Sequence, residues 1–525
     1  MNLALVIPLS GYLLAMLGLG FYLSRRPQQG SFVEDYFLGN RSMGGFVLAM
    51  TMVATYASAS SFIGGPGAAY SMGLGWVLLA MIQVPTVWLT LGVLGKQFAV
   101  IARRVNALTI NDMLYARYRS PLVVILAALG LLAAFIATMV VQFIGGARLL
   151  ETVTGLSYQA GLVIFASTVL MYTLIGGFRA VVVTDAVQGI LMLIGTIVML
   201  AGVLYAGGGA SAMFSALAEI DPALVTPQGP DGMLGTSFML SFWVLVCFGV
   251  IGLPHSAVRC LAYKDSKAMH RGIIIGTLVG ALLMFGMHFA GALGRVLVPE
   301  LTVPDKVMPT LMLTVLSPTV AGLFLAGPMA AIMSTIDSQL IQASATLVKD
   351  LYLNHASRAH DSGRPQKSKP APSPTFIKAA SRLVTLAVGL IVLFAALSPP
   401  DMIIWLNLLA FGALQAIFFW PLVLGLYWWR GTATGALASM LVGAISYGGL
   451  ATFGIKVFGL HAIVPSLTLS GIAYVVGSLL SKPPSAEVRA LFGDEEFSVQ
   501  EVGGEQFVDK ELGKPPEPNA VGHTL

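Results

Sequence analysis

Ser334 and Thr335, one turn beyond Ala331 in the apolar run Gly327 to Ser338, put two hydroxyls and a backbone carbonyl close together. On a helix Ala331, Ser334, Thr335 and Ser338 share one face through i, i+3 and i+4 spacing, with Asp337 beside them. A second stretch, Thr51 to Gly67, lies in an apolar segment yet is loaded with Ser, Thr, Gly and Pro. Backbone released from helical bonding inside hydrocarbon must line a polar cavity or be covered by protein, and such a break at Ala54 to Ala57 could add two carbonyls to the hydroxyl pair. Hard cations take shells of neutral oxygen, a rule stated for calcium and magnesium and extended here to sodium. A shell without a carboxylate does not titrate near neutral pH, which favours Na⁺ over H⁺. The same spacing also suits hydroxyls bonded to their own i−4 carbonyls or across a helix interface, and spacing leaves both readings open.

Two acids and several neutral groups extend the set. Asp185 lies about a turn inside the cytoplasmic end of its span and Asp337 lies deeper in its own. A buried carboxylate needs water, a partner or a cation, so Asp185, Asp337 and Ser338 form a possible second ion site or ion path. A helix-start charge explains Asp185 as well, and a neutral, hydrogen-bonded acid explains Asp337. A second half-helix starting near Ser58 and Ala59 would aim its N–H groups and positive dipole end at a carboxylate. Gln142, Trp243, Asn407 and Gln415 are further groups within apolar spans that could line the same cavity, although each also fits helix-to-helix bonding or an interfacial anchor. His255 and Arg259 follow the Gly252-Leu253-Pro254 break at a cytoplasmic end and read as gate or topology residues. No P-loop, His-rich metal spacing or G-x-S-x-G elbow is present, which argues against an enzyme.

Membrane helices must position these residues. With 56% hydrophobic and 10% charged residues the chain cannot cover a water-facing surface. Apolar runs long enough for about 30 Å of hydrocarbon recur throughout. Thirteen spans are expected: 3–23, 43–71, 76–101, 121–147, 158–175, 180–206, 238–253, 273–296, 320–347, 376–397, 402–428, 435–454 and 462–480. The first lacks a basic leader and a small-residue cleavage site, so it reads as a retained helix. Arg25, Arg26, Arg41, Arg103, Arg104, Arg117, Arg119, Arg259, Lys264 and the basic run from Lys349 to Lys378 fall in odd-numbered joints. The positive-inside rule then puts the N-terminus outside and the C-terminus in the cytoplasm of a multi-pass plasma-membrane protein. The net charge of +5 is a topology signal rather than a nucleic-acid patch. The joint His355 to Thr375 reads as a flexible loop, and the polar tail 481–525 as disordered and dispensable for transport. Cys247 and Cys260 imply no disulfide framework.

Longer strings carry a resemblance. Tyr36 to Gly45, Ser58 to Tyr70, Val141 to Arg148, Ile175 to Ala180 with its glycine pair, Gly249 to Cys260 and Met402 to Leu409 resemble the solute:sodium symporter family, and in particular its pantothenate-transporting branch, over 3–480. The resemblance implies an all-α polytopic protein of about thirteen helices with a LeuT-type 5+5 inverted-repeat core. That core would occupy 43–430, after a first helix and joint in 1–42 and before peripheral helices in 431–480. It implies a principal sodium site of the Ala54, Ala57 and Ala331 carbonyls with the Ser334 and Thr335 hydroxyls, matching the shell suggested by spacing. In members that use a second sodium, the matching groups are Asp185, Asp337 and Ser338; Asp337 stands where a small hydroxyl residue is common. The substrate region maps onto Ser58 and Ala59, and Tyr56 replaces the acid of proline-transporting relatives. The expected activity is Na⁺-coupled uptake of pantothenate, without a cofactor or an obligatory protein partner. The rivals are a symporter for another small carboxylate or amino acid, and a transporter-like sensor; the tail after Ser481 is too short and polar for a kinase domain.

Overall fold

The computed structural model describes residues 3–25, 41–353, 373–400 and 402–492; the expected loop after His355, through residue 372, and the tail beyond 492 lie outside these. The main helices are α1 (Leu3–Ser24), α2 (Gly45–Tyr56), α3 (Gly65–Met72), α4 (Ile110–Tyr118), α5 (Pro121–Thr154), α6 (Tyr158–Ala206), α7 (Ser266–Leu297), α8 (Ala326–Ser344), α9 (Pro374–Ala395), α10 (Ile403–Tyr427), α11 (Ala433–Thr452) and α12 (Ile463–Leu479). No strand of a sheet occurs among the described residues. Among the described residues nine helices are long and apolar enough to cross a membrane, or up to eleven if each of two bent pairs counts as one span. The shorter apolar helices Tyr158–Met171 and Ile463–Leu479 occupy the places of two further expected spans.

The largest departure from the expected spans is α6, which continues through the joint between the fifth and sixth. The expected joint holds the pair Gly176-Gly177, whose backbone alone is described, and glycine costs only about 1 kcal/mol in a helix, so it does not stop the hydrogen-bond ladder.

Two helices are buried on every side and set the centre. In α8 every residue from Ala326 to Ser344 is buried, and in α2 every residue from Leu48 to Tyr56. A helix buried all round needs apolar or internally satisfied residues on all faces, and here Thr51 donates to Asp185, Ser334 to Ala54 O, and Gln339 accepts from Thr138 Oγ1. α2 packs on α6, α7 and α8, while α8 also packs on α5 and α9. α11 and α12 pair with each other against α10. Large side chains such as Leu278, Leu383 and Phe394 remain exposed, as expected where lipid is the solvent.

Both broken spans have a local cause. At the end of α2, Ala57 turns extended (φ −70, ψ 120), and the chain re-enters through a π-helical turn, Ser60–Gly64, leading into α3 at a 68° bend. Pro66 at the start of α3 needs no N–H partner there. The second break is at Leu253 (φ −87, ψ 111) before Pro254, with a 49° bend between Thr236–Gly252 and Pro254–Leu261. The two are tied at one end, where Met43 N–H donates to Ala262 O at 3.2 Å and Lys264 N–H donates to Met43 O at 3.0 Å.

A polar anchor fixes the end of the α8 span. Thr109 and Asp112 form a capping box at α4. Asp350, which follows α8, accepts from Thr109 Oγ1 and Asn111 Nδ2, each at 2.8 Å. Lys349 pairs with Asp112 and, at 3.5 Å, with Asp350. Burial alone would raise the Asp112 carboxyl, but the Lys349 ammonium and the Leu108 and Thr109 N–H groups hold it below the ordinary carboxylate value. Of the polar tail, Ala486–Leu491 is helical, and Glu487 accepts from Arg119 Nη2 at 2.7 Å.

Candidate ion and substrate site

The break in α2 and the hydroxyl face of α8 meet. Ser334 Oγ donates to Ala54 O at 2.8 Å and lies 3.1 Å from Ala331 O. Thr335 Oγ1 is 3.3 Å from Ala57 O and 3.1 Å from Ala331 O. All five residues are buried. The extended Ala57 takes the carbonyls at the end of α2 out of helical bonding, so hydroxyls some 280 residues away in sequence reach them. Five neutral oxygens thus converge, and a hydroxyl that turns its proton away presents a lone pair. The donor set fits a hard monovalent cation carried as cargo, with no side-chain charge in it.

Asp185 and Ser338 are also brought together, but through a residue expected elsewhere. Arg259 is 1% exposed, and its Nη2 lies 3.3 Å from Asp185 Oδ2 and 2.7 Å from Ser338 Oγ. Its Nη1 donates to His255 O at 3.0 Å, and Thr51 Oγ1 donates to Asp185 Oδ2 at 2.8 Å. Arg259 and His255, expected as gate or topology residues, are both buried, because helical turns continue past Pro254 to Leu261. His255 packs edge-on to Phe135 at 5.8 Å and against Phe411 at 5.9 Å. Asp337 is buried next to Ser338.

The expected substrate residues divide. The half-helix start was expected to offer its N–H groups to a carboxylate, and here they are spent. Ala59 N–H donates to Gln142 Oε1 at 2.7 Å, Ser60 N–H to Ser58 Oγ at 3.2 Å, and Ser61 and Phe62 N–H to Ser58 O at 3.0 and 3.1 Å. Ser58, Ala59 and Gln142 therefore build the break rather than line the cavity. Trp243 is corrected outright: it sits on an outward π-helical turn, 44% exposed, beside Phe248. Gln415 is buried and donates through Nε2 to Leu245 O at 2.7 Å, holding the turn below Trp243.

Asn407 does line a cavity, which lies against the other side of the break. Ser60 and Ser61 border it, as do Gln83, His288 and Asn407. Trp76, Phe242 and Phe411 give it aromatic walls. Tyr56 OH closes one edge by donating to Gln83 Oε1 at 2.7 Å. Sequence reasoning missed Gln83 and His288, because a lone polar residue in an apolar run has no spacing partner to mark it.

Apolar helices that break where neutral oxygens converge, beside a small polar cavity, define a secondary transporter. The family model for the sodium:solute symporter family matches residues 36–443, and this chain belongs to that family. The sodium/pantothenate symporter of Escherichia coli (strain K12) is 61% identical over 478 residues, covering 91% of this chain and 97% of that protein. Its namesake from Haemophilus influenzae is 57% identical, covering 92% and 97%. Among solved structures, a Na⁺-coupled sialic acid symporter in a substrate-bound outward-open state matches with a TM-score of 0.73 at 22% identity, covering 92% of this chain and 99% of that one. That likeness is one of fold.

Proposed function

We propose that this chain is a secondary active transporter that carries pantothenate into the cell on the downhill movement of Na⁺; it is a symporter and not an enzyme. The supporting observation is the meeting of the α2 break with Ser334 and Thr335, five neutral oxygens linked by four hydroxyl-to-carbonyl contacts of 2.8 to 3.3 Å. The strong likeness to curated sodium/pantothenate symporters supplies the cargo.

In this reading Na⁺ sits among the Ala54, Ala57 and Ala331 carbonyls and the Ser334 and Thr335 hydroxyls. Pantothenate occupies the cavity bordered by Ser60, Ser61, Gln83 and Asn407. Sodium bridging α2 and α8 favours the form in which the cavity is shaped for substrate, so each ligand raises the other's affinity. Asp185, Ser338 and Arg259 form a charged lock toward the cytoplasm, with Asp337 next to it, along the path by which sodium leaves. The core is a 5+5 inverted repeat within 43–430, the helices of 431–480 are peripheral, and the tail 481–525 plays no part in transport. The N-terminus lies outside and the C-terminus in the cytoplasm of the inner (plasma) membrane, where the lipid bilayer is the only partner the reading needs.

Competition of labelled pantothenate uptake by a panel of small carboxylates and amino acids, proline included, tests the cargo. Inhibition by unlabelled pantothenate alone is expected; stronger inhibition by another solute would replace pantothenate as the substrate.

A further inference from the structure

We propose that His288 is a specificity-determining residue, whose Nε2, together with Asn407, accepts the hydroxyl hydrogens of the substrate's pantoyl half. This rests on the reading that the cavity beside the α2 break takes pantothenate.

His288 lies on α7, is 2% exposed, and lines that cavity. Its Nδ1 is 2.7 Å from Met284 O. A carbonyl can only accept, so Nδ1 carries the proton and the neutral ring presents Nε2 as an acceptor. The Nε2 edge of the ring sits over Gly65, at the end of the π-helical turn whose Ser60 and Ser61 border the cavity. A side-chain carbon at Gly65 would come within 2.2 Å of Nε2, so the absence of one there lets the ring press against the π-helical turn. Asn407, 2% exposed on α10, also lines the cavity, and its Oδ1 has no hydrogen-bond partner in the protein. A buried acceptor left unmatched costs free energy that a ligand's O–H recovers.

Pantothenate carries two hydroxyls and an amide N–H on a branched, gem-dimethyl frame, with a carboxylate at the far end. The hydroxyls match the two acceptors, and the dimethyl carbon matches the aromatic walls from Trp76, Phe242 and Phe411. A solute with the same carboxylate but no hydroxyls leaves both acceptors buried and unpaired. A site built on hydrogen bonds rejects such an analogue more strongly than a merely apolar pocket rejects a lost methylene.

The test compares labelled pantothenate uptake in the presence of unlabelled pantothenate and of an analogue with both pantoyl hydroxyls replaced by hydrogen. The wild type is expected to bind the analogue roughly 10- to 100-fold more weakly. In His288→Phe that gap should shrink to about threefold or less, and His288→Gln, which keeps an acceptor, should recover part of it. The sodium concentration for half-maximal uptake, measured at saturating pantothenate, is a separate readout and should stay put. Equal inhibition by pantothenate and the analogue in the wild type, or an undiminished gap in His288→Phe, overturns the inference. If His288→Phe does not reach the membrane, the wild-type comparison and Asn407→Leu decide. A wild type that does not take up pantothenate at all would refute the proposed cargo instead.

Discussion

Removing one hydroxyl at a time from the α8 face gives the sharpest quantitative expectation. Ser334→Ala and Thr335→Val each delete one of five oxygens with little change of volume. Ser334 Oγ donates to Ala54 O at 2.8 Å and Thr335 Oγ1 lies 3.3 Å from Ala57 O, contacts that a bound ion would replace with its own. Each variant therefore loses a neutral hydrogen bond when no ion binds, worth about 0.5–1.5 kcal/mol, and a contact to a charged group when sodium binds, worth about 1.5–3 kcal/mol. The difference, about 1–1.5 kcal/mol, predicts a roughly 5- to 13-fold rise in the sodium concentration for half-maximal uptake. The assay is the initial rate of labelled pantothenate uptake by proteoliposomes across a sodium series. Because the two hydroxyls share Ala331 O, the double variant should depart from additivity. Sodium activation unchanged in both single variants, with only pantothenate affinity reduced, would refute the assignment of these oxygens to the ion.

Three further expectations follow from the packing around the site. Arg259→Met leaves Asp185 buried without its guanidinium at 3.3 Å, a change of about 3–5 kcal/mol, and should lower the thermal midpoint in detergent well below that of wild type; an unchanged midpoint would mean the pair is not formed. Gly65→Ala forces a carbon against His288 and should cut uptake more than tenfold, with partial recovery in Gly65→Ala/His288→Ala, whereas wild-type uptake in Gly65→Ala would show that the ring is free to move. Asp112, its carboxyl held below the ordinary value, stabilises the protein above a pH of about 4 and loses that contribution as pH falls through its lowered value. Asp112→Asn should thus be less stable than wild type at pH 7, with the gap closing below about pH 4; a gap independent of pH would point to a loss of packing instead.

The parts of the site readable from sequence were those with internal spacing. Ser334 and Thr335 declare a shared face by their offset from Ala331 alone, and the composition around Ser58 to Gly67 declares a break. Their partnership is long-range: composition suggested two carbonyls from the break at Ala54 to Ala57, and the family resemblance assigned them to Ala54 and Ala57. The choice between gate and topology signal for Arg259 was not legible, because basic residues near a break have the same signature in both; the continuation of helix beyond Pro254 buries it. Trp243 was misread because an amphipathic side chain has the same signature on a lipid face as on a cavity wall. The N–H groups of the half-helix start were misread because their acceptors, Gln142 and Ser58, had been assigned to the substrate. The glycine pair of α6 suggested a joint, yet glycine only weakens a helix and does not end it.

The most direct test of the whole account is accumulation of labelled pantothenate in proteoliposomes under an imposed sodium gradient. The account predicts uptake above the external concentration while sodium is high outside and low inside, collapsing to equilibration when potassium replaces sodium on both faces. Accumulation that is equally strong in potassium would contradict it.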